Sequence, residues 1–573
     1  MPDYKKVTLS SPLLSPSQTK FRLGLVRQRT RTYPLDSMDF IMMDLERPEG
    51  HHRHAYQCAG DLTGRLLEFL SHAEGVDGQH DERLPELFER ILRQRQPSGL
   101  FGQILDDRTI GNEECLCACS RVFPGLIYYY ELTNDARALE AAVGLAELTI
   151  RSQEIWRRHL HAGGGRWIPF WITEHMAMLY GVTGKQAYLD FVGMINDGLE
   201  MPDKGTHAHG YMATLRGLQT AALITGDAAW NAKPDAARRM IIERQYEFPD
   251  GGTPEGFPHS GRTEGCPIAD WLMLNLNTAA ITGDDAAYEH AEHILWNALA
   301  FNQLNTGCFC HRSTSPVGYN MSGIEEAWWC CLHHGGLALA KYARHAVTLR
   351  DKTLQVNLLV PGTYRLALPG GREAEVRIST SYPARAEAIV SATGVPEGMS
   401  LRLRVPGCVR RPVVTETRDN DRVQLGLSGR LGHHVESCHG GALLKYGPLV
   451  LSPAIYSWQG EGNGCYTAAA SEAHAPTGYI PESMPGGLPL LDTPAPDADG
   501  LLPLSDLPRP DWMYFDEGAT SRCGVEGSAA NVTLKFPDGK EKILRFTPLC
   551  YNTSCLSLFD TPIVFGGPER AGK

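Results

Sequence analysis

The chain has 573 residues, 42% of them hydrophobic and 21% charged, and carries a formal net charge of −12. That length exceeds what a single core serves, so two or three domains are expected. The negative charge is spread without long acidic runs, which argues against nucleic acid or an anionic membrane as partner and leaves a small neutral molecule or a sugar unaffected.

The N-terminal "MPDYKKVTLSSPLLSPSQTK" has no apolar core long enough for a signal peptide, and no apolar run reaches the roughly 18 residues a membrane span needs. A cytoplasmic location is the expectation. Asn320, Asn531 and Asn552 stand in N-x-Ser/Thr triplets and, without a secretion signal, read as chance matches. The 15 cysteines then belong to a reducing compartment, where free thiols and metal ligands outweigh disulfides.

Residues 1–35 form an entry segment in which "KVTLSS" can add a strand to a later sheet. Residues 36–346 read as helical, and a phrase recurs: "YYYELTNDARAL", "MLYGVTGKQAYL", "AALITGDAAW" and "TAAITGDDAAYEHA". Each is an apolar helix, a turn at Asn134, Gly184, Gly226 or Gly283, and a second helix. Asn or Gly suits the left-handed residue that ends a helix, and the Asp that follows in three of the four can start the next. Helical hairpins repeated in this way close naturally into a double-ring (α/α)6 barrel, with an open solenoid as the alternative.

Residues 347–573 change pattern. Short alternating runs such as "LQVNLLV", "AEVRIST", "SLRLRVPG" and "ALLKYGPLVLSP", separated by Gly and Pro turns, predict an antiparallel β-sandwich. A stretch at about 460–510, rich in Gly, Pro, Ala and Asp, reads as an irregular excursion, and "NVTLKFPDGKEKILRFTPL" as a hairpin turning at Asp538 and Gly539. An edge of such a sandwich can pair, which admits a homodimer.

Two stretches carry chemistry. In "RTEGCPIADWLMLNLN", Glu264 and Cys266 precede Pro267 and a helix apolar on nearly every face, as an inner helix must be. In "EEAWWCCLHHGGLALAKY", Cys330 and Cys331 precede another apolar helix. Helix N-termini favour thiolates and carboxylates, and one carboxylate with three thiolates makes a tetrahedral zinc site. The spacing is not a common finger pattern, and buried small thiols are the alternative. Glu255, in a Gly/Pro-rich loop, and His207 and His209, in "GTHAHGYMATLRG", are further candidates. Cys115, Cys117 and Cys119, and the set Cys308, Cys310 and His311, stay undecided between metal binding and packing.

The repeated "LTG" phrase, then E-x-C, then C-C, then strands containing "LRLRVPG" and "LKYGPLVL", resembles glycoside hydrolase family 127 and its relatives, whose known members include β-L-arabinofuranosidases. The resemblance runs from "FRLGLVRQRT" to about Pro453. It implies an (α/α)6 barrel followed by β-sandwich domains, and zinc held by Glu264, Cys266, Cys330 and Cys331. It further implies a retaining hydrolysis of a terminal L-arabinofuranose-like or related sugar, with Cys330 as nucleophile. The phrase "PEGF" looks like the family's "GEAF", which puts the acid/base role on Glu255, although the segment from there to Glu264 is shorter here. Departures fall in the sugar pocket. Where the arabinofuranosidases present histidines on earlier helices, this chain has Ser120 and Pro169, and only a third survives, as His207 or His209. A sugar-contacting Tyr is replaced near Cys310. The resemblance therefore carries the reaction class further than the substrate. The competing expectations are a lyase or epimerase on the same barrel, and a non-catalytic carbohydrate-binding protein with structural zinc.

Overall fold

The structure is a computed structural model, and it describes residues 4–9, 18–46, 60–102, 113–161, 168–315, 318–438, 441–453, 490–504, 527–535, 539 and 541–549. Most of the stretch expected to be irregular, together with Asp538 and Asn552, lies outside these residues. Strand β1 (Tyr4–Leu9) opens the chain, and helices follow: α1 (Gln18–Arg29), α2 (Met38–Glu46), α3 (Asp61–Asp77), α4 (Leu84–Arg93), α5 (Glu113–Thr133), α6 (Ala136–Arg151), α7 (Gln153–His161), α8 (Ile172–Thr183), α9 (Gln186–Gly198), α10 (Ala208–Thr225), α11 (Ala232–Glu243), α12 (Gly265–Thr282), α13 (Asp285–His293), α14 (Ala300–Asn302) and α15 (Cys331–Arg344).

Burial divides these helices into two kinds. In α12 every residue from Gly265 to Ala279 is buried, and α3, α10 and α15 are nearly as enclosed. In α4 only Leu84, Leu87, Phe88 and Ile91 are buried, the single apolar stripe of an outer helix. The enclosed helices form a closed ring: α3 packs on α5, α5 on α8, α8 on α10, α10 on α12, α12 on α15, and α15 back on α3. Helices α4, α6, α9 and α13 each follow an inner helix and pack against it.

The repeated phrase sets the turns between inner and outer helices. Asn134 has φ 58°, and Gly184, Gly226 and Gly283 have φ 69°, 73° and 75°. The side chains of Asp135, Asp227 and Asp284 accept hydrogen bonds from the backbone N–H two residues on, as helix-starting caps do. Close approach within the ring is bought with glycine. A Cβ on Gly64 of α3 would stand 2.2 Å from the Arg121 carbonyl oxygen of α5.

Strands β2 (Arg262–Glu264), β3 (Cys310–Ser315) and β4 (Gly318–Glu326) form a small antiparallel sheet between the helices. The remaining strands follow α15: β5 (Val347–Arg350), β6 (Thr353–Val356), β7 (Gly362–Leu368), β8 (Arg372–Thr380), β9 (Ala388–Thr393), β10 (Ser400–Leu403), β11 (Arg410–Asp419), β12 (Arg422–Arg430), β13 (His433–Cys438), β14 (Gly441–Tyr446), β15 (Leu449–Pro453), β16 (Leu490–Asp492), β17 (Ala530–Lys535) and β18 (Glu541–Pro548). They make two six-stranded sheets, β1-β7-β8-β9-β12-β11 and β13-β14-β15-β18-β17-β16, and a three-stranded sheet β10-β6-β5. Burial alternates along β7, β8 and β9, the mark of a sheet with one face on a core. β1 pairs antiparallel with β7, so the N-terminal strand joins the first of the large sheets that follow the helices. Among the described residues, no helix is long and apolar enough to cross a membrane.

The glycine contacts yield a paired prediction. Gly64→Ala forces backbone against backbone and should destabilise the protein by about 1–3 kcal/mol. Gly193→Ala, in mid-α9, places its Cβ 3.7 Å from Trp230. It should be neutral or stabilising by roughly 0.5–1 kcal/mol. Urea denaturation of both variants checks this, and equal midpoints would refute the packing account.

Candidate active site

The cysteines meet where the N-termini of α12 and α15 converge. Glu264 ends β2 and occupies the cap position of α12, with Cys266 in the first turn. Cys330 caps α15 in a non-helical conformation, φ −136° and ψ −64°, and Cys331 is that helix's first residue. Gly265 permits the approach, because a Cβ there would lie 2.7 Å from the Phe309 Cβ and 3.1 Å from the Cys331 Cβ. The Sγ atoms of Cys266 and Cys331 are 3.5 Å apart, and those of Cys330 and Cys331 are 3.6 Å apart. The Cys331 Sγ is 3.8 Å from Glu264 Oε2.

His311 joins this group by sheet register. It stands opposite Glu264 in the β2–β3 pairing and opposite Glu325 in the β3–β4 pairing. Directly opposed residues share a face of the sheet, and His311 Nε2 lies 2.9 Å from Glu264 Oε2. That buried nitrogen makes no hydrogen bond. Glu264, His311, Cys330 and Cys331 form a set with donor atoms all within 4.8 Å of one another, and Cys266 adjoins it through Cys331.

The donor set suits a metal ion. Two bonds of about 2.3 Å at a tetrahedral angle separate sulfurs by roughly 3.8 Å, near the spacing seen and far from the roughly 2.05 Å of a disulfide. Burial pushes all three thiols up. Cys266 rises to about 12 and Cys331 well above its ordinary value. At Cys330, hydrogen bonds from Cys266 and Cys331 outweigh burial and bring the thiol down to about 6.

Glu255 borders the cluster. Its carboxylate, that of Glu264 and the His207 ring have ligand atoms within 4.8 Å of one another. Arg262 Nε donates to Glu255 Oε2 at 3.1 Å. Main-chain bonds pin the loop: Ala208 N–H donates to the Glu255 carbonyl at 2.9 Å, and Glu255 N–H to the Arg262 carbonyl at 2.9 Å. His207 caps α10, its Nδ1 accepting from Gly210 N–H at 3.2 Å, while its Nε2 faces Glu264 Oε1 at 3.7 Å. The Glu255 and His207 side chains are 27% and 25% exposed, whereas the cysteines are buried. Access to the cluster therefore lies on the Glu255 side.

His209 behaves differently. Its Nδ1 lies 2.5 Å from Asp270 Oδ2, its Nε2 accepts from Arg121 at 3.0 Å, and it is buried. It belongs to a polar network along the ring axis that no local motif announces. Asp61 takes Arg65 at 2.8 Å and Arg121 at 2.9 Å. Asp270 takes His334 at 2.8 Å and Arg216 at 2.9 Å. Glu174 takes Arg216 at 2.8 Å and Lys341 at 2.6 Å. The Arg121 guanidinium also stacks on Trp171. A sequence signal for part of this network exists: Arg216 and Asp270 are single charges inside apolar helices, and a charge so placed must be paired.

Cys310 is engaged elsewhere, its Sγ 3.2 Å from both the Asn302 carbonyl and Arg312 Nε, and Cys308 is a buried free thiol. Cys115, Cys117, Cys119 and Ser120 fall on the first turns of α5, and Pro169 on the turn before α8, where side chains lie outside the described residues.

No family model and no curated protein matches this chain. Solved structures do. A GH127 β-arabinofuranosidase superposes with TM-score 0.63 at 13% identity, covering 99% of this chain and 99% of its own. A GH127 β-L-arabinofuranosidase from Geobacillus stearothermophilus T6 gives 0.64 at 12%, covering 98% of this chain and 100% of its own. A further glycoside hydrolase gives 0.65 at 13%, covering 99% and 97%. The chain thus has the fold of the GH127 β-arabinofuranosidase structures over nearly its full length, which accords with the resemblance read from the residues.

Burial of the ring's histidines predicts acid sensitivity. Desolvation lowers His175, His209 and His345 to about 3 each. Below the unfolded value of about 6.5, the unfolded chain binds protons that the folded chain refuses. Stability is therefore full above about pH 6.5 and falls as pH drops toward 3, by about 1.4 kcal/mol per unit per histidine. Urea midpoints measured at pH 7.5, 6 and 5 should decline steeply, and a flat profile would contradict the burial of these rings.

Proposed function

We propose that the protein is a retaining glycoside hydrolase whose cysteine nucleophile is held by zinc, acting on a terminal L-arabinofuranose-like or related sugar. The carrying observation is the convergence of three thiols, Glu264 and His311 beside Glu255 and His207, in a GH127 fold. We read the helical ring of residues 36–346 as an (α/α)6 catalytic barrel, and the sheets of residues 347–573, joined by β1, as a sandwich.

Glu264, Cys266, Cys330 and Cys331 are the ligands taken from the resemblance, and His311 is the alternative fourth donor that the geometry adds. Bound zinc supplies Lewis-acid charge that keeps thiols ionised at neutral pH. Cys330 attacks the anomeric carbon while Glu255 gives a proton to the departing oxygen. Glu255 then takes a proton from water, which displaces sulfur with net retention. Arg262 orients the Glu255 carboxylate, and His207 is placed to contact a sugar hydroxyl. The His209 ring is committed to the buried network, so we assign sugar contact to His207 alone.

Metal content tests the donor set. The reduced protein should hold about one zinc per chain. Cys266→Ser and His311→Ala should separate the two candidate ligands by chelator competition, with the true ligand's loss weakening retention by at least about tenfold. Absence of any transition metal from reduced protein would remove the site.

Activity tests the roles. Against aryl pentosides, L-arabinofuranosides first, Glu255→Gln should lose about 10²–10⁴-fold on poor leaving groups and much less on good ones, because only the former need proton donation. A mechanism-based sugar electrophile should label Cys330 and no other cysteine. Labelling of Cys331 instead, or full activity in Cys330→Ser with zinc retained, would end this mechanism.

A further inference from the structure

A cavity of about 310 Å³ lies at the opposite end of the ring from the cysteines. Late residues of the inner helices line it, among them His72 of α3, Tyr128 of α5 and Lys341 and Arg344 of α15, and Arg350 of β5 and Gln355 of β6 lie over it. Its lining holds three permanent cations, Lys341, Arg344 and Arg350, and one carboxylate, Glu174. That carboxylate is already held by Arg216 at 2.8 Å and Lys341 at 2.6 Å. Arg344 makes no hydrogen bond or ion pair with another described residue, and Arg350 makes only a 3.4 Å contact to the Thr282 carbonyl.

Helix dipoles explain part of this charge. Basic residues in the last turn of α15 offset the partial negative charge of the helix end. They do not explain Arg350, which comes from a strand. Nor do they explain His72, which is 3% exposed, lies against the Tyr128 ring at 3.8 Å, and has neither ring nitrogen hydrogen-bonded. Buried polar groups are almost always satisfied, so an unpartnered imidazole lining a cavity points to an occupant. Burial, then Arg344 and Lys341, hold the His72 ring neutral, so it can donate from one nitrogen and accept at the other.

We propose that this cavity is a second ligand site, separate from the cysteine cluster, and that it binds a monosaccharide-sized oxyanion. Arg344 and Arg350 would take the carboxylate or phosphate, and His72 a hydroxyl. The volume is at the small end for ligand pockets, too large for a bare ion alone and enough for one sugar ring. Glu68 and Glu131 are the other acids near these cations, and burial raises both carboxyls. They therefore do not supply the missing anionic charge in full.

Calorimetric titration of the full chain tests this with glucuronate, glucose 6-phosphate, inorganic phosphate and, as a neutral control, glucose. At least one sugar oxyanion should bind saturably, and more tightly than phosphate or glucose. Sugar acid against sugar phosphate distinguishes the two sources of charge. Arg344→Gln, and independently Arg350→Gln, should weaken that binding by at least about tenfold, the worth of one charged hydrogen bond. Neither substitution touches the cysteine cluster, so metal content and thiol labelling should be unchanged. No saturable binding by wild type, or wild-type affinity in folded samples of both variants, would overturn the proposal.

Discussion

Everything in the ring answers to one constraint: its axis carries charge, and charge away from water must be paired. Each inner helix contributes. Asp61 and Arg65 come from α3, Arg121 from α5, Glu174 from α8, His209 and Arg216 from α10, Asp270 from α12, and His334 and Lys341 from α15. Removing one partner from a buried pair typically costs about 3–5 kcal/mol, because the other charge is left stranded. The six helices must therefore converge in one register for the network to close, and ring closure and charge pairing become the same condition. This network holds four permanent cations, Arg65, Arg121, Arg216 and Lys341, against three carboxylates, Asp61, Glu174 and Asp270, with Glu68 beside them drawn up to about 7 by burial. Positive charge is left over, and Arg65 feels Cys266 and Cys330 as well as Asp61. The thiols are thus the natural place for the balancing negative charge.

Local features of the fold were legible because their causes are local. A left-handed residue after an apolar helix needs Gly or Asn, and a following Asp caps the next helix, so Gly184, Gly226, Gly283, Asp135, Asp227 and Asp284 announce their turns in a few letters. Alternation announces strands in the same way. The closure of α15 onto α3 is different in kind, since it joins residues more than two hundred and fifty positions apart and leaves no local trace.

The candidate site was legible in proportion to the strangeness of its letters. Adjacent cysteines and E-x-C stand out, and the structure brings Glu264, Cys266, Cys330 and Cys331 together. His311 was hidden behind two cysteines, Cys308 and Cys310, that pack elsewhere. Its partner is chosen by strand register, which places it across from Glu264, and register is not readable from a six-residue strand. His207 and His209 are two letters apart and look interchangeable, yet one caps α10 at the surface of the site and the other turns inward to Asp270. A helix start separates them, and side chains two apart on a helix do not share a face.

The gradient of exposure bears on what the thiols are for. A structural metal site is closed on every side, whereas a catalytic one keeps an open approach. Here the three cysteines are at most 2% exposed, while Glu255 and His207, whose ligand atoms lie within 4.8 Å of those of Glu264, reach about a quarter. The open side is occupied by a carboxylate whose backbone is fixed at both faces, by Ala208 N–H and by the Arg262 carbonyl. A loop that merely covered a structural ion would gain nothing from holding a carboxylate so firmly at its rim. A proton donor gains a great deal, because an error of an ångström in its placement costs orders of magnitude in rate. Cys330 is also the thiol whose backbone departs from the helix. A firmly held carboxylate on an open approach is what supports the proposed hydrolytic reading over a binding protein with a structural ion.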